Sequence, residues 1–229
     1  MKKILVCEDE QSIRDFIVIN LKRSGYDVTE ADTGEKTLEL YEASKDFSIA
    51  VLDVMLPGID GYEVCTQIRA NDPNIGIIFL TAKAQEVDKI TGLMTGADDY
   101  MQKPFSPSEL IARVDALYRR VSLKDKVAES EGTASGPFVI NLKSRTITKS
   151  GVKLVLTQVE YLLMKCFIES PNVALSRETL LQKVWGDTFL ELKVVDVNVR
   201  RLRMKIESDA SNPDFIKTIW GYGYKWEVN

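Results

Sequence analysis

The chain has no histidine in 229 residues. That absence removes serine–histidine and cysteine–histidine catalysis and histidine-ligated zinc together. It also means that the chain cannot itself carry a phosphohistidine. Cysteine is scarce. Cys7, Cys65 and Cys166 are isolated, form no CxxC pair and sit in apolar surroundings, which fits buried thiols in a reducing compartment rather than a disulfide framework. No apolar run approaches the roughly 20 residues that a membrane helix needs, so no membrane partner is expected. The start, MKKILVCEDE, turns acidic before any signal-peptide apolar region develops, and a cytoplasmic location is the expectation.

What the chain does have is enough length for two domains with real cores, with 45% apolar and 28% charged residues. Its net charge of −4 is unevenly spread. Residues 1–121 carry 14 Lys+Arg against 21 Asp+Glu, whereas residues 137–229 carry 14 against 10. An acidic first half and a basic second half imply that only the second meets a polyanion.

The first half alternates. Apolar strand-like runs at Lys3–Cys7, Tyr26–Ala31, Phe47–Leu52, Ile75–Leu80 and Asp99–Gln102 are separated by helical periodicity at 11–24, 33–43, 62–70 and 87–94, and followed by it at 107–120. Five strands alternating with helices predict βαβ units and a doubly wound five-stranded parallel sheet. Residues 122–136, SLKDKVAESEGTASG, mix charge, Ser and Gly and read as a flexible linker. From Pro137 the texture changes to polar–apolar alternation, with a turn at Ser150-Gly151, which predicts a small antiparallel sheet. Thr157 with Glu160 three residues on forms a capping box before a helix. Ser176 opens a second helix, Leu192–Glu207 reads as a third, and Phe215–Val228 reads as a hairpin with Gly221-Tyr222-Gly223 near its tip. Three helices and a hairpin behind a small sheet predict a winged helix-turn-helix. The domains are therefore expected at 1–121 and 137–229.

In a parallel sheet the strand C-termini share one edge. Glu8-Asp9-Glu10, Asp53, Thr81-Ala82 and Lys103-Pro104 end four of the predicted strands, so carboxylates, a hydroxyl and an ammonium converge. Each alone has a bland reading: a solvated acidic turn, a helix cap, a surface lysine. Together they have the composition of a phosphoryl-accepting site. Stacked carboxylates repel unless a cation joins them, and Mg²⁺ with oxygen ligands and retained waters suits them. A carboxylate that accepts a phosphoryl group needs its charge neutralised by such a metal, a lysine and a hydroxyl.

At these residues the chain resembles the receiver domain of two-component response regulators: Glu8-Asp9, Asp53 in LDVMLPGIDGYE, Thr81-Ala82, Tyr100 and Lys103-Pro104-Phe105. The pattern covers about 120 residues in register. The resemblance implies a flavodoxin-like receiver with Asp53 as phosphoacceptor. Glu8, Asp9, Asp53 and the carbonyl of Met55 would hold Mg²⁺. Thr81 and Lys103 would bind the phosphoryl group, Tyr100 would act as switch aromatic, and the bond before Pro104 would be cis. The stretch GLMTGADDYMQKPFSPSELIARVDALYRR resembles the OmpR/PhoB subfamily, which forms homodimers on phosphorylation. That implies cross-dimer pairs Lys89–Glu109, Asp98–Arg120 and Asp99–Arg113, although ordinary surface charges read equally well.

In VVDVNVRRLRMKIE, helical spacing sends Val195, Val199, Leu202 and Ile206 to the core and presents Val197, Arg200, Arg201 and Met204 on the opposite face, with Lys193, Asn198 and Arg203 on the flanks. This half resembles the OmpR/PhoB effector domain in LTQVEYLLM, LSRETLLQKVWG, VVDVNVRRLR and IKTIWGYGY. By that resemblance Arg201 and Val197 would touch bases in double-stranded DNA, and Lys193, Asn198, Arg200, Arg203, Thr218 and Tyr224 would hold phosphates. The wing departs from the family pattern: Trp220 stands where a basic residue often reaches the minor groove, and its role could be stacking, packing or neither. The reading is a response regulator, not an enzyme. A sensor histidine kinase or a small acyl phosphate would phosphorylate it, and it would bind paired half-sites in promoter DNA, with RNA polymerase a further partner. The rivals are a Mg²⁺-dependent phosphatase and a phosphorylation-independent DNA-binding regulator.

Overall fold

The computed structural model describes residues 2–82, 95–122, 133–186 and 191–228. The chain divides into two compact units, Met1–Ser122 and Leu123–Asn229. In the first, strands β1 (Lys3–Cys7), β2 (Asp27–Ala31), β3 (Ile49–Asp53), β4 (Gly76–Thr81) and β5 (Asp99–Gln102) form one sheet in the order β2-β1-β3-β4-β5. All neighbours run parallel. β3 and β4 are buried along their whole length, as continuous apolar runs covered on both faces must be. Helices α1 (Gln11–Arg23), α2 (Gly34–Ala43), α3 (Gly61–Asn71) and α4 (Pro107–Ser122) connect or follow the strands. Thr33 caps α2 and Asp60 caps α3 by accepting backbone N–H groups. The expected helix at 87–94 lies outside the described residues.

The strand order reverses between β1 and β3. In an open α/β sheet this switch point opens a crevice beyond the strand C-termini. Gly61 shapes the loop after β3. A Cβ there would lie 2.1 Å from the Asp53 carbonyl oxygen, so only glycine lets α3 return this close behind the acid.

In the second unit, β6 (Thr133–Ser135), β7 (Phe138–Asn141), β8 (Thr146–Lys149) and β9 (Val152–Lys153) form an antiparallel sheet. β6 corrects the expected linker at its end: Thr133–Ser135 pairs with β7, and Ser135 accepts a hydrogen bond of 2.8 Å from the Trp226 indole. At its start, Ser122 belongs to α4. Residues 123–132 lie outside the described residues. Helices α5 (Gln158–Ile168), α6 (Arg177–Trp185) and α7 (Lys193–Ile206) precede a hairpin of β11 (Ile216–Ile219) and β12 (Gly223–Trp226), with β10 (Ala174–Ser176) pairing the outer side of β12. The Thr157–Glu160 capping box opens α5, with both reciprocal bonds formed. Phe138, Phe167 and Phe215 surround Trp226 with ring centroids 5.2, 6.4 and 5.6 Å away and root the hairpin in the core.

Candidate functional site

The switch-point crevice is the first site. Glu8 and Asp9 follow β1, and Asp53 ends β3. One carboxylate oxygen from each lies within 4.8 Å of those of the other two. Glu8 and Asp53 are buried while Asp9 is exposed. Lys103, just past β5, reaches across from the neighbouring edge. Its Nζ donates to Asp53 Oδ2 at 2.6 Å and to Glu8 Oε1 at 2.7 Å. The Met55 amide donates to Asp53 Oδ1 at 3.0 Å. The cluster opens into a cavity of about 700 Å³ lined also by Ser12, Ile13, Phe16, Met55 and Phe105.

Burial pushes Glu8 up to about 7, and the hydrogen bond from Lys103 only partly offsets it, while the charge on Asp53 pushes the same way as burial. Burial alone would lower Lys103. Its hydrogen bonds to Asp53 and Glu8 outweigh that and raise it above the ordinary lysine value, so the ammonium stays charged. Burial pushes the Cys7 thiol up to about 12, which makes it a core cysteine and not a nucleophile.

The other expected residues lie on the adjoining strands. Thr81 is buried at the end of β4, and its carbonyl accepts the Lys103 amide at 2.8 Å. Tyr100 is buried on β5. The Lys103–Pro104 bond is cis. One residue that the sequence did not single out helps to fix the acids: Arg14 of α1 donates to the carbonyls of Glu8 and Asp9 at 2.7 and 3.2 Å. No spacing signal marks it, because it grips backbone and not a motif.

Several of the residues expected in cross-dimer pairs have partners within this chain. Asp99 of β5 meets Arg113 of α4 at 3.0 Å, and Arg113 also meets Glu109 one turn away at 2.9 Å. Within the chain Asp98 accepts from Arg69 of α3 at 2.5 Å and from the Ile77 amide at 2.8 Å. Arg120 is buried and donates Nε to Ala116. β5 and α4 stand side by side, so Asp99, Arg113 and Glu109 reach one another within the single chain. Lys89 lies outside the described residues.

The second site is the exposed side of α7. Here the structure corrects the expected open face. Val197, Asn198 and Arg201 are buried, whereas Arg200 and Met204 are exposed and Lys193 and Arg203 are half-buried. The buried arc is wide because α7 packs against α5 and α6 and its Asp196 and Arg203 side chains bond to the hairpin. Arg201 Nη2 lies 3.2 Å from Glu160 of α5, and Lys205 Nζ lies 2.6 Å from the same carboxylate. Asn198 donates back to the Val194 carbonyl. On the hairpin flank, Arg203 binds the Ile216 carbonyl and Thr218 Oγ1. Tyr224 is also turned inward. Its hydroxyl donates to Asp196 at 2.6 Å, and burial, reinforced by that bond, pushes its pKa up to about 12. Arg177 of α6 meets the same Asp196 at 2.7 Å. Thr218 and Tyr224, expected to hold phosphates, are thus engaged inside the unit. The Trp220 side chain stands out in solvent.

Comparison with known proteins agrees with both halves. A family model described as response regulator receiver domain matches residues 4–115, and one described as transcriptional regulatory protein, C terminal, matches residues 151–226. The chain is 41% identical to a probable transcriptional regulator, ycf27, of Cyanophora paradoxa, over 99% of this chain and 96% of that protein. It is 38% identical to the uncharacterized transcriptional regulatory protein YrkP of Bacillus subtilis, over 98% and 97%. Among solved structures, the response regulator DrrB, an OmpR/PhoB homolog of Thermotoga maritima, is 33% identical with a TM-score of 0.52 over 99% of both chains. A cysteine-to-serine mutant of RitR is 25% identical with a TM-score of 0.80 over 100% of both.

Proposed function

Because the chain belongs to the response regulators that join a receiver domain to an OmpR/PhoB-type transcriptional regulatory domain, we propose that it is a DNA-binding transcriptional regulator switched by phosphorylation of Asp53. The Asp53 carboxylate oxygen attacks the phosphorus of a phosphohistidine on a sensor kinase, or of a small acyl phosphate. A P–O bond to Asp53 forms as the bond to the donor's nitrogen or oxygen breaks. Lys103 pairs with the transferred group, and Thr81 at the adjoining strand end supplies a hydroxyl to its oxygens. Tyr100 on β5 relays the change to the neighbouring surface.

Glu8, Asp9 and Asp53, with the Met55 carbonyl, fit Mg²⁺: the donors are all oxygen, three carboxylates crowd together, and among the described residues a single lysine balances them incompletely. When bound, the ion supplies charge neutralisation at the phosphoryl oxygens. Phosphorylation shifts the receiver toward a homodimer, in which the β5 and α4 charges exchange internal partners for those of a second copy. Two linked winged helices then engage paired half-sites on duplex DNA with raised effective affinity. Lys193, Arg200 and Arg203 provide the positive face. Base contact by Arg201 requires its ion pair with Glu160 to open.

The observation that carries this reading is the Asp53 carboxylate held by Lys103 at 2.6 Å among the Glu8 and Asp9 carboxylates. Incubation with Mg²⁺ and acetyl phosphate should add one phosphoryl group by intact mass, mapped to Asp53 by peptide analysis. Asp53→Asn should abolish the addition. Uptake that persists in the variant would place the acceptor elsewhere.

A further inference from the structure

The loop between Asp53 and α3 carries Met55, whose amide donates to Asp53 Oδ1 at 3.0 Å and whose carbonyl belongs to the proposed Mg²⁺ set. The two ends of this loop are closed by backbone bonds. Val54 donates to the Leu80 carbonyl at 3.0 Å, and Gly61 donates to the Val54 carbonyl at 3.2 Å. Its middle is built differently. Pro57-Gly58, with Gly58 at φ +76°, is the kind of pair that a tight turn places at its centre. Such a turn often closes by a bond from the following amide, Ile59, to the Leu56 carbonyl. Here the Ile59 amide donates instead to Glu35 Oε1 at 3.1 Å, a carboxylate 24 residues earlier in the chain.

Glu35 lies in the first turn of α2. An acid there has a bland role, since it complements the positive end of the helix dipole. Its fit against the loop is closer than that role needs. A Cβ at Gly34, the residue before it, would lie 2.2 Å from the Ile59 carbonyl oxygen. One residue of α2 therefore accepts the Ile59 N–H while its neighbour leaves the space that the Ile59 carbonyl occupies.

The base of this clamp is itself fixed. The Thr33 hydroxyl caps α2 by accepting the Lys36 amide at 3.2 Å. The Thr33 carbonyl accepts from the buried Thr37 hydroxyl at 2.8 Å and from Cys7 Sγ of β1 at 3.4 Å. Leu56 is buried and anchors one side of the turn, and Glu35 holds the other. The Met55 side chain, next to Leu56, is exposed and gives the loop no anchor of its own.

We propose that Glu35 is a positioning residue for the phosphoacceptor site: by holding the Ile59 amide it fixes the loop that presents Met55 to Asp53 and to Mg²⁺, and so raises the affinity of the site for the ion. The inference rests on the phosphoacceptor reading above and adds to it a residue outside the acid cluster. A carboxylate also attracts a cation through space, so bond and charge must be separated. Glutamine at this position keeps a carbonyl that accepts the amide and loses the charge, whereas alanine loses both.

Mg²⁺ is titrated by isothermal calorimetry into the full chain, metal-free, as the parent, Glu35→Gln and Glu35→Ala. Hydrogen exchange in residues 54–61 is followed by mass spectrometry without the ion. Glu35→Ala should bind Mg²⁺ about fivefold more weakly and exchange faster in the loop, and Glu35→Gln should stay within about twofold of the parent in both. Both variants should keep the circular dichroism of the parent, because Glu35 is exposed. Mg²⁺ binding by Glu35→Ala as tight as the parent's would overturn the inference. Equal weakening in both variants would also overturn it, by assigning the effect to charge alone, and so would weakening with unchanged exchange in the loop. These outcomes strike the inference alone when the parent binds Mg²⁺ and takes up one phosphoryl group from acetyl phosphate. A parent that does neither would overturn the phosphoacceptor reading and this inference with it.

Discussion

Two glutamates, one in each half, are fully buried, and each has a lysine ammonium within hydrogen-bonding distance. Glu8 has Lys103 at 2.7 Å and Glu160 has Lys205 at 2.6 Å. Their surroundings differ in charge balance and access. Glu160 faces two cations, Arg201 and Lys205, and also accepts the Thr157 amide that completes the capping box. One negative charge is met by two positive ones and a peptide dipole, and the arrangement staples α5 to α7. Glu8 shares one lysine with Asp53 and stands beside Asp9, so among the described residues three carboxylates face a single ammonium at the mouth of an open cavity. A buried cluster whose charges are matched is architecture. One left short of positive charge and open to solvent is prepared for a ligand that completes it.

Breaking the matched cluster should have the larger effect on folding. Glu160→Ala leaves the Arg201 guanidinium buried without its carboxylate and removes half of the capping box. Loss of about 3–5 kcal/mol from the second unit is expected. All three tryptophans lie in that unit, so urea unfolding followed by tryptophan fluorescence reads it separately from the receiver. A midpoint unchanged by the substitution would mean that the ion pair is not structural. Arg201→Ala should cost less, about 2 kcal/mol by the same measurement, because Lys205 and the Thr157 amide still satisfy Glu160.

The unmatched cluster should respond in the opposite sense. Glu8 titrates at about 7 when folded, above its ordinary value near 4.5, chiefly because it is buried. A raised folded-state pKa contributes stability that is complete below the unfolded value and is lost as pH rises through the folded one. The receiver should therefore lose stability between about pH 4.5 and pH 8 through this group. Glu8→Gln keeps the shape without the charge. In metal-free buffer at about pH 8 it should be more stable than the parent by roughly 2 kcal/mol, and near pH 4.5 the two should coincide. Equal stability at both pH values, from urea unfolding monitored by circular dichroism, would refute the strained-charge account of Glu8.

The two halves also differ in how far the sequence discloses them. The receiver site is legible because strand ends in a parallel sheet must share an edge. Asp53 and Lys103 needed only the strand limits to be placed together, and a shift of a residue or two in those limits leaves their convergence intact. The face of α7 is less forgiving. Successive residues differ by about 100° around a helix, so the boundary of the buried arc decides between Arg200 and Arg201. That boundary is set by Glu160, a residue of another helix, which no periodicity within α7 reveals. β6 escaped for a related reason. Thr133-Ala134-Ser135 has no apolar alternation, and its place in the sheet is secured by the bond from Trp226 near the other end of the domain. The inward pairing of Asp98 with Arg69 likewise joins segments with no spacing signal between them.

The adjacent arginines give the finest test of the comparison. Arg200 is exposed on α7, while Arg201 is 5% exposed and paired. If burial and charge matching separate architecture from function, Arg200→Ala should leave the urea midpoint of the second unit within about 0.5 kcal/mol of the parent. It should still weaken binding to duplex DNA and reduce the salt dependence of that binding by about one ion, as loss of one phosphate contact does. Arg201→Ala should show the reverse order of effects, with a lowered midpoint and a salt slope that changes little once both proteins are measured where they are folded. A lowered midpoint for Arg200→Ala with an unchanged salt slope would exchange the two assignments. It would mean that the open stripe of α7 is not the surface that meets the phosphates.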